Sequence, residues 1–270
     1  MTVDSRKRML GGLPLLGHPL GCNSVKESPH IAHSSIRGRV LRAIRRAVIG
    51  ILDRQEQCRV LEIGAGQGMF TDHVLAMGAE VEVTETSESN VEALRRRFRH
   101  DQRVTVTYDA DGGVALDGDP VDIVLCVAVL HHIPSYLTAV RRLVRRIAPG
   151  GAFVSFQDPL WYPRRSTGSL LTERGAYMLW RLGQGHLRRG LASFVRQHRG
   201  AYDKSNPSDM VEYHVVRKGV DELALRTLLT PSFGAIELHR YWSTHSEWLQ
   251  LVGERVGPQT TFGLLALDRR

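Results

Sequence analysis

Cysteine is scarce in this chain: three in 270 residues, at Cys22, Cys58 and Cys126. So few, with no CxxC pairing, exclude a disulfide scaffold and give no support to a zinc module. The scarcity fits a reducing compartment, and a cytoplasmic location is expected. Long hydrophobic runs are also missing, and none approaches the roughly 18–20 residues that a bilayer-spanning helix requires. Internal repeats and low-complexity tracts are absent. One segment imitates an export signal: Arg6-Lys7-Arg8 precede an apolar stretch over 9–17, and Cys22 follows Gly21. His18 and Pro19 spoil the end of that apolar core, so a mobile leader joined to a first helix is expected instead.

Charge of one sign is in excess. The net charge is +8 and the pI about 9.8. Much of it lies between Asp158 and Gly219, where nine arginines and two lysines stand against five acids. Such a segment either presents a solvated helical face or attracts an anionic acceptor, a nucleic acid or a membrane surface.

The length suits one α/β domain with additions. Strand-like apolar runs at 59–63, 80–84, 104–108, 121–127 and 152–157 alternate with helical patterns at 69–77, 88–99 and 136–147. Several of the strands are almost wholly apolar, which predicts a parallel sheet covered on both faces. Ahead of them, Val40, Leu41, Ile44, Val48, Ile49 and Leu52 recur at helical spacing within a helix expected over 34–52. From Pro159 to Pro207 the sequence becomes helix-prone, aromatic and basic, too long for an ordinary connection, so an inserted helical cap is expected. A helix over 220–229 and strands near 236–242 and 260–267 complete the pattern.

The chemistry-bearing residues gather at the carboxyl ends of the strands, where such sheets bind ligands. The run Val60-Leu61-Glu62-Ile63-Gly64-Ala65-Gly66-Gln67-Gly68 ends an apolar strand in an acid and three alternating glycines. Bare backbone there can approach a ligand closely. The dinucleotide fingerprint G-x-G-x-x-G is not met, because the third glycine comes one residue too early. Further on stand Glu85 at the end of Glu80–Thr84, Asp109-Ala110 after Val104–Tyr108, and His131-His132 after the run 121–130. Pro149-Gly150-Gly151 then leads into Ala152–Phe156 and Asp158.

In this order the motifs resemble those of class I S-adenosylmethionine-dependent methyltransferases, of the type acting on small molecules and natural products. The resemblance covers residues 57–158 and, loosely, the last strands. It implies a Rossmann-like, mostly parallel seven-stranded sheet with helices on both faces and a helical cap inserted after the fifth strand. Four parts are expected: a leader and lid helix (1–53), a cofactor-binding core (54–158), a basic, aromatic cap (159–219) and a C-terminal part of the sheet (220–270), whose last two strands pair antiparallel. S-adenosylmethionine is the implied cofactor. Its binding residues would be Glu62, Gly64, Ala65, Gly66, Gly68, Glu85, Thr86, Asp109, Ala110 and Val127, with Glu85 accepting hydrogen bonds from both ribose hydroxyls. Asp109 would lie near the adenine amino group, a place Asp111 could also fill. Glu62 could instead, or in addition, satisfy amides of the glycine turn.

Methyl transfer from a sulfonium is an in-line displacement governed by positioning, and a hydroxyl acceptor must also lose a proton. His131 or His132 is the candidate base, the two pointing in opposite directions if the fourth strand persists. Asp158 would orient the base, as in some sugar O-methyltransferases of this fold. Packing and helix capping are the competing roles for the two histidines. Cys126 reads as a small buried strand residue. Trp161 and Tyr202 are candidate substrate contacts. The other cap aromatics, Tyr177, Trp180 and Phe194, serve equally as a small core, and His186 and His198 accompany them. The acceptor implied is a small or lipid-like molecule, such as a sugar or polyketide hydroxyl. RNA is the alternative partner raised by the basic cap, although His131-His132-Ile133-Pro134 stands where methylases of planar amines carry an N-P-P-Y-like tetrapeptide. A non-catalytic cofactor-binding protein on the same fold is the third reading.

Overall fold

The computed structural model describes residues 29–183 and 218–270. Seven strands form one sheet in the order β3-β2-β1-β4-β5-β7-β6. They are β1 (Arg59–Ile63), β2 (Glu80–Glu85), β3 (Val104–Tyr108), β4 (Val121–Val127), β5 (Ile147–Pro159), β6 (Phe233–Tyr241) and β7 (Thr261–Arg269). Strands β1 to β5 pair in parallel, while β7 runs antiparallel to both β5 and β6. The expected closing antiparallel pair is therefore present. The chain order reverses between β1 and β4, so a crevice opens above their carboxyl ends.

The apolar strands make sense of this layering. Val60, Leu61, Val124, Leu125, Phe153 and Val154 are all buried, because helices cover both faces of the sheet. One face is covered by α2 (Ser34–Leu52), which follows the short α1 (Pro29–Ala32), and by α3 (Met69–Ala76) and α4 (Glu88–Arg97). Helix α2 buries Ile36, Val40, Ala43, Ile44, Ala47, Val48 and Ile51, a stripe at 3–4-residue spacing. Ile36 in its first turn is buried along with the rest of the stripe. The other face is covered by α6 (Tyr136–Arg146), preceded by the short α5 (Gly113–Asp117), and later by α8 (Glu222–Leu229). Asp221 begins α8 by accepting hydrogen bonds from the Leu223 and Ala224 amides.

After β5 the chain forms a 3-10 turn, Tyr162–Arg164, and then α7 (Thr167–Gly183). Helix α9 (Glu247–Val256) connects β6 to β7. Tyr202, Phe194, His186 and His198 lie outside the described residues. Among the described residues no helix is long and apolar enough to cross a membrane, and no cluster suits a metal ion.

Two boundaries differ from expectation in ways that matter. Strand β4 does not persist to the histidines: it stops at Val127, Ala128 adopts φ 58°, and Leu130–His132 form a 3-10 turn. Strand β5 runs beyond 157 to Pro159, with a register shift against β7 between Phe156 and Asp158 and Gln157 at φ 66°.

One buried charge joins the layers and was not anticipated. Arg146 is 5% exposed, and its guanidinium bonds the carbonyls of Val114, Ala115 and Asp119 and the Glu82 carboxylate at 2.7–3.2 Å. Removing it strands Glu82 and three carbonyls. Arg146→Ala is therefore expected to cost about 3 kcal/mol in chemical denaturation. Arg146→Lys is not expected to restore the loss, because an ammonium cannot reproduce the planar set of donors. A cost below about 1 kcal/mol for the alanine variant would contradict this assignment.

Candidate active site

The loop after β1 is shaped by its three glycines, all at positive φ: 67° at Gly64, 57° at Gly66 and 79° at Gly68. A side chain at Gly64 would strike Val129, and one at Gly68 would strike Leu94 and Phe98. Gly66 differs, since a Cβ there would meet nothing within 4 Å. Its bare backbone faces open space, which is where a ligand can approach. Gly68 then begins α3 directly behind the loop.

Glu85, at the end of the neighbouring β2, ties this loop to its own. Its carboxylate accepts from the Gly66 amide at 3.0 Å, the Thr86 amide at 2.9 Å and the Ser87 amide at 3.2 Å. Three donors leave roughly one of a carboxylate's four lone-pair sites for a further partner. Of the glycine-turn amides that Glu62 could have satisfied, that of Gly66 is held by Glu85. Glu62 itself is 2% exposed and accepts from Thr71 Oγ1 at 2.6 Å. Burial, aided by Asp72 and Glu85, raises its pKa to about 7 against the pull of Thr71.

The remaining expected cofactor residues sit along the same rim. Ala65 and Val127 are half-buried, and Thr86 and Ala110 are exposed. Asp109 is buried and accepts from the amides of Val114 and Ala115, so it caps α5, while Asp111 accepts from the Gly113 amide.

On the other side of the crevice the structure brings His131 and Asp158 together. His131 Nδ1 lies 2.8 Å from Asp158 Oδ1, which also accepts from the His131 amide at 3.1 Å. Ser155 Oγ donates to Asp158 Oδ2 at 2.9 Å. Asp158 is fully buried, His131 is 7% exposed and His132 is exposed. The two imidazole rings do not point apart; their centroids are 4.0 Å apart, because the 3-10 turn replaces the strand. Cys126 is buried and its thiol pKa is pushed up by that burial, consistent with an inert strand residue. Trp161 is half-buried just ahead of the 3-10 turn after β5.

Several residues in and around this site carried no local signal. Thr71 and Ser155 hold the two buried acids. Gln157 opens a second network, in which its amide donates to Tyr241 Oη at 3.2 Å and its Nε2 donates to Ser243 Oγ at 2.6 Å. Ser243 Oγ in turn lies 2.7 Å from His30 Nδ1. These partners are 84 to 213 positions apart in sequence, so only the fold relates them.

Residues 61–153 match the family model described as a methyltransferase domain. Among curated proteins, the chain is 35% identical over 101 residues to a ubiquinone biosynthesis O-methyltransferase of Rhizobium johnstonii, covering 36% of this chain and 39% of that protein. A protein of the same name from Aromatoleum aromaticum is 32% identical over 95 residues, covering 34% and 41%. The chain thus spans about two fifths of the length of the curated relatives it matches. Among solved structures, the plantazolicin methyltransferase BpumL in complex with SAH aligns with a TM-score of 0.52 at 13% identity, covering 90% of this chain and 86% of that one. The N-terminal domain of EvdMO1, solved in the presence of SAH and D-fucose, gives 0.51 at 15% identity, covering 92% and 85%. At such identities the likeness is one of fold.

The protonation of Glu62 is open to measurement. The folded protein keeps this proton up to about pH 7, whereas an unfolded chain releases it near pH 4.3, at about the reference value. A raised acid pKa makes stability fall as pH rises between those values. Glu62→Gln keeps an acceptor for Thr71 and removes the titration. Its unfolding free energy is expected to gain on the parent's between pH 5 and pH 8, by on the order of 1–3 kcal/mol. A difference independent of pH would show that Glu62 is ionised throughout.

Proposed function

We propose that this chain, whose residues 61–153 form a methyltransferase domain of the class I fold, transfers the methyl group of S-adenosylmethionine to an oxygen of a small-molecule acceptor in the cytoplasm. The observation that carries this reading is the opposition of two sites across the crevice. Gly66 and Glu85 make an open, acid-lined cradle, and the buried His131–Asp158 pair lies at the ends of the next strands. The curated relatives bear the name of an O-methyltransferase, which favours oxygen over nitrogen or carbon.

The residues present fit such a cofactor. Glu85 is pre-oriented by three amides to accept from a ribose, Gly66 leaves room for close approach, and acids suit a cationic ligand. Glu62, Gly64, Ala65, Gly68, Thr86, Asp109, Ala110 and Val127 complete the proposed binding set. When bound, S-adenosylmethionine supplies a methyl group on a sulfonium whose departure as a neutral thioether drives the transfer.

The protein's part is positioning and proton removal. Asp158 fixes the Nδ1 side of His131, which makes Nε2 the basic nitrogen of the neutral ring. As the acceptor oxygen forms its bond to the methyl carbon, its proton passes to His131 Nε2, and Asp158 stabilises the resulting imidazolium. His132, exposed against the same ring, shapes the approach of the acceptor. Trp161 and Tyr202 are proposed contacts on the acceptor side.

Titration calorimetry with S-adenosylmethionine should give saturable binding, weakened at least about tenfold by Glu85→Ala and lost in Gly66→Val. No binding by the parent chain, or equal binding by the variants, would defeat the cofactor assignment. His131→Ala is expected to lower kcat about a hundredfold with cofactor affinity unchanged, and at least about ten times more than His132→Ala does. Near-native turnover in both histidine variants would remove the base from the mechanism.

A further inference from the structure

Helix α9 reverses the usual amphipathic arrangement. Its buried residues are Gln250 and Gly253, whereas Trp248, Leu251, Val252 and Val256 are exposed, Trp248 and Leu251 at 65% and Val256 at 80%. Steps of three, one and four positions separate these four, so they form one apolar stripe on the outward face, with the exposed Arg255 among them. Specific contacts hold the helix this way round. Gln250 Nε2 donates to Trp242 O at 3.1 Å, Gln250 Oε1 accepts from the Thr244 amide at 3.0 Å, and Trp242 Nε1 donates to Leu249 O at 3.2 Å. A side chain at Gly253 would strike the Trp242 indole, so the helix seats with its small, polar side inward. Single exposed apolar residues are ordinary on a protein surface, but a helical face of them held outward marks an interaction site.

The surface that borders this stripe is basic. Glu254, at the stripe's edge, accepts from Ser35 Oγ of α2. Arg39, Arg42 and Arg46 follow Ser35 by four, seven and eleven positions, on that same face of α2. All three are exposed, as is Arg45, and α2 carries five arginines and no acid. Arg46 pairs with Glu237 at 2.5 Å, whereas Arg42 and Arg45 make no ion pair among the described residues. The acids of α9 are Glu247 and Glu254, so the two helices together bear six arginines against two carboxylates.

From this juxtaposition we propose that α9 and the arginine face of α2 form a docking surface for an anionic lipid bilayer, with the apolar stripe sunk among the headgroups and the arginines on the lipid phosphates. The helix lies on the bilayer and does not cross it. A second copy of this chain is the other candidate occupant, and two arguments disfavour it. The ten residues of α9 make a helix about 15 Å long, whose one face falls far short of the roughly 800 Å² per partner of a stable dimer. A two-fold pairing through the stripe would also bring two arginine faces of like charge together. A bilayer, by contrast, needs only shallow insertion of one helical face, accepts tryptophan at its interface and attracts each basic residue near its surface. Strand β6 ends and β7 begins beside the carboxyl end of β5, so α9 lies at the end of the sheet where the crevice opens. The docking surface does not depend on the methyltransferase reading.

The test uses the full chain and co-sedimentation with vesicles of phosphatidylcholine alone or of phosphatidylcholine and phosphatidylglycerol in equal amounts. Binding to the mixed vesicles is expected to be at least about tenfold tighter than to phosphatidylcholine and to weaken as salt is raised. Trp248→Ser combined with Leu251→Ser should weaken it at least about tenfold. Arg42→Glu combined with Arg45→Glu should also weaken it at least about tenfold. All four side chains are exposed, so both double variants should keep the parent's melting temperature. Quenching of tryptophan fluorescence by lipids brominated on their acyl chains reports insertion, and it should fall in Trp248→Phe. No binding to mixed vesicles, equal binding to both vesicle types, or parent-like binding by either double variant would overturn the proposal. A concentration-dependent dimer in sedimentation velocity, abolished in the serine variant, would overturn it too and assign the stripe to a second copy of the chain.

Discussion

Gln157 at φ 66° is the backbone constraint on which the His131–Asp158 side of the candidate site depends. In an unbroken strand, side chains alternate between faces, so Ser155 and Asp158 would point to opposite sides of the sheet. The bulge at Gln157 breaks the alternation, and Ser155 Oγ donates to Asp158. Asp158 is thereby turned toward His131, and the Gln157 side chain is turned toward Tyr241 and Ser243. A non-glycine residue at positive φ stores strain that surrounding contacts must hold. Here the Gln157 amide and side chain both engage the Tyr241 hydroxyl. The adjacent strand end does the same: Ala128, at φ 58°, donates its amide to Phe156 O at 2.8 Å. Two kinked strand ends locked to each other set where the histidines emerge.

The cradle side obeys a different constraint, the satisfaction of backbone amides. Positive φ at Gly64, Gly66 and Gly68 turns the loop away from a helical or extended course, and the Gly66 amide needs an acceptor. Glu85 supplies it across the gap between two strand ends, so the loops after β1 and β2 are joined by one carboxylate. Glu62, one strand over, is left with a single hydroxyl partner and takes up a proton. The two acids of the motif therefore divide the work, one accepting from three amides and the other a buried carboxyl with a raised pKa.

Much of this was legible in the sequence because it depends on local chemistry. Alternating glycines after an apolar run, acids at strand ends and apolar strands separated by amphipathic helices are each encoded within a few residues. The sheet, the position of Glu85 and the helix over 34–52 follow from them. What escaped was encoded at long range or in an exception to periodicity. The 3-10 turn at Leu130–His132 defeated the expectation that the histidines would diverge, because nothing in Val129-Leu130-His131-His132 announces the strand's end at Val127. Nothing local marks Arg146, and its burial against Glu82 is a fact of packing across 64 positions. Asp109 also caps α5, a role the Gly112-Gly113 that follows permits but does not dictate.

The distribution of charge connects these observations. The chain as a whole carries +8, yet the rim of the crevice gathers four buried carboxyl groups, Glu62, Glu85, Asp109 and Asp158. A glycine-rich loop ahead of a helix is elsewhere an anion site, where amides and the helix dipole receive phosphate. In this chain Glu85 already occupies the Gly66 amide, and a phosphate arriving there would meet a carboxylate in a partly desolvated crevice, where like charges repel strongly. A ligand carrying positive charge would instead find Glu85 oriented and Glu62 ready to ionise beside it. Its arrival would favour the charged form of Glu62 and offset the burial that holds the proton on. The same backbone geometry that serves dinucleotides in other folds is thus converted, by two acids, into a site suited to a cation.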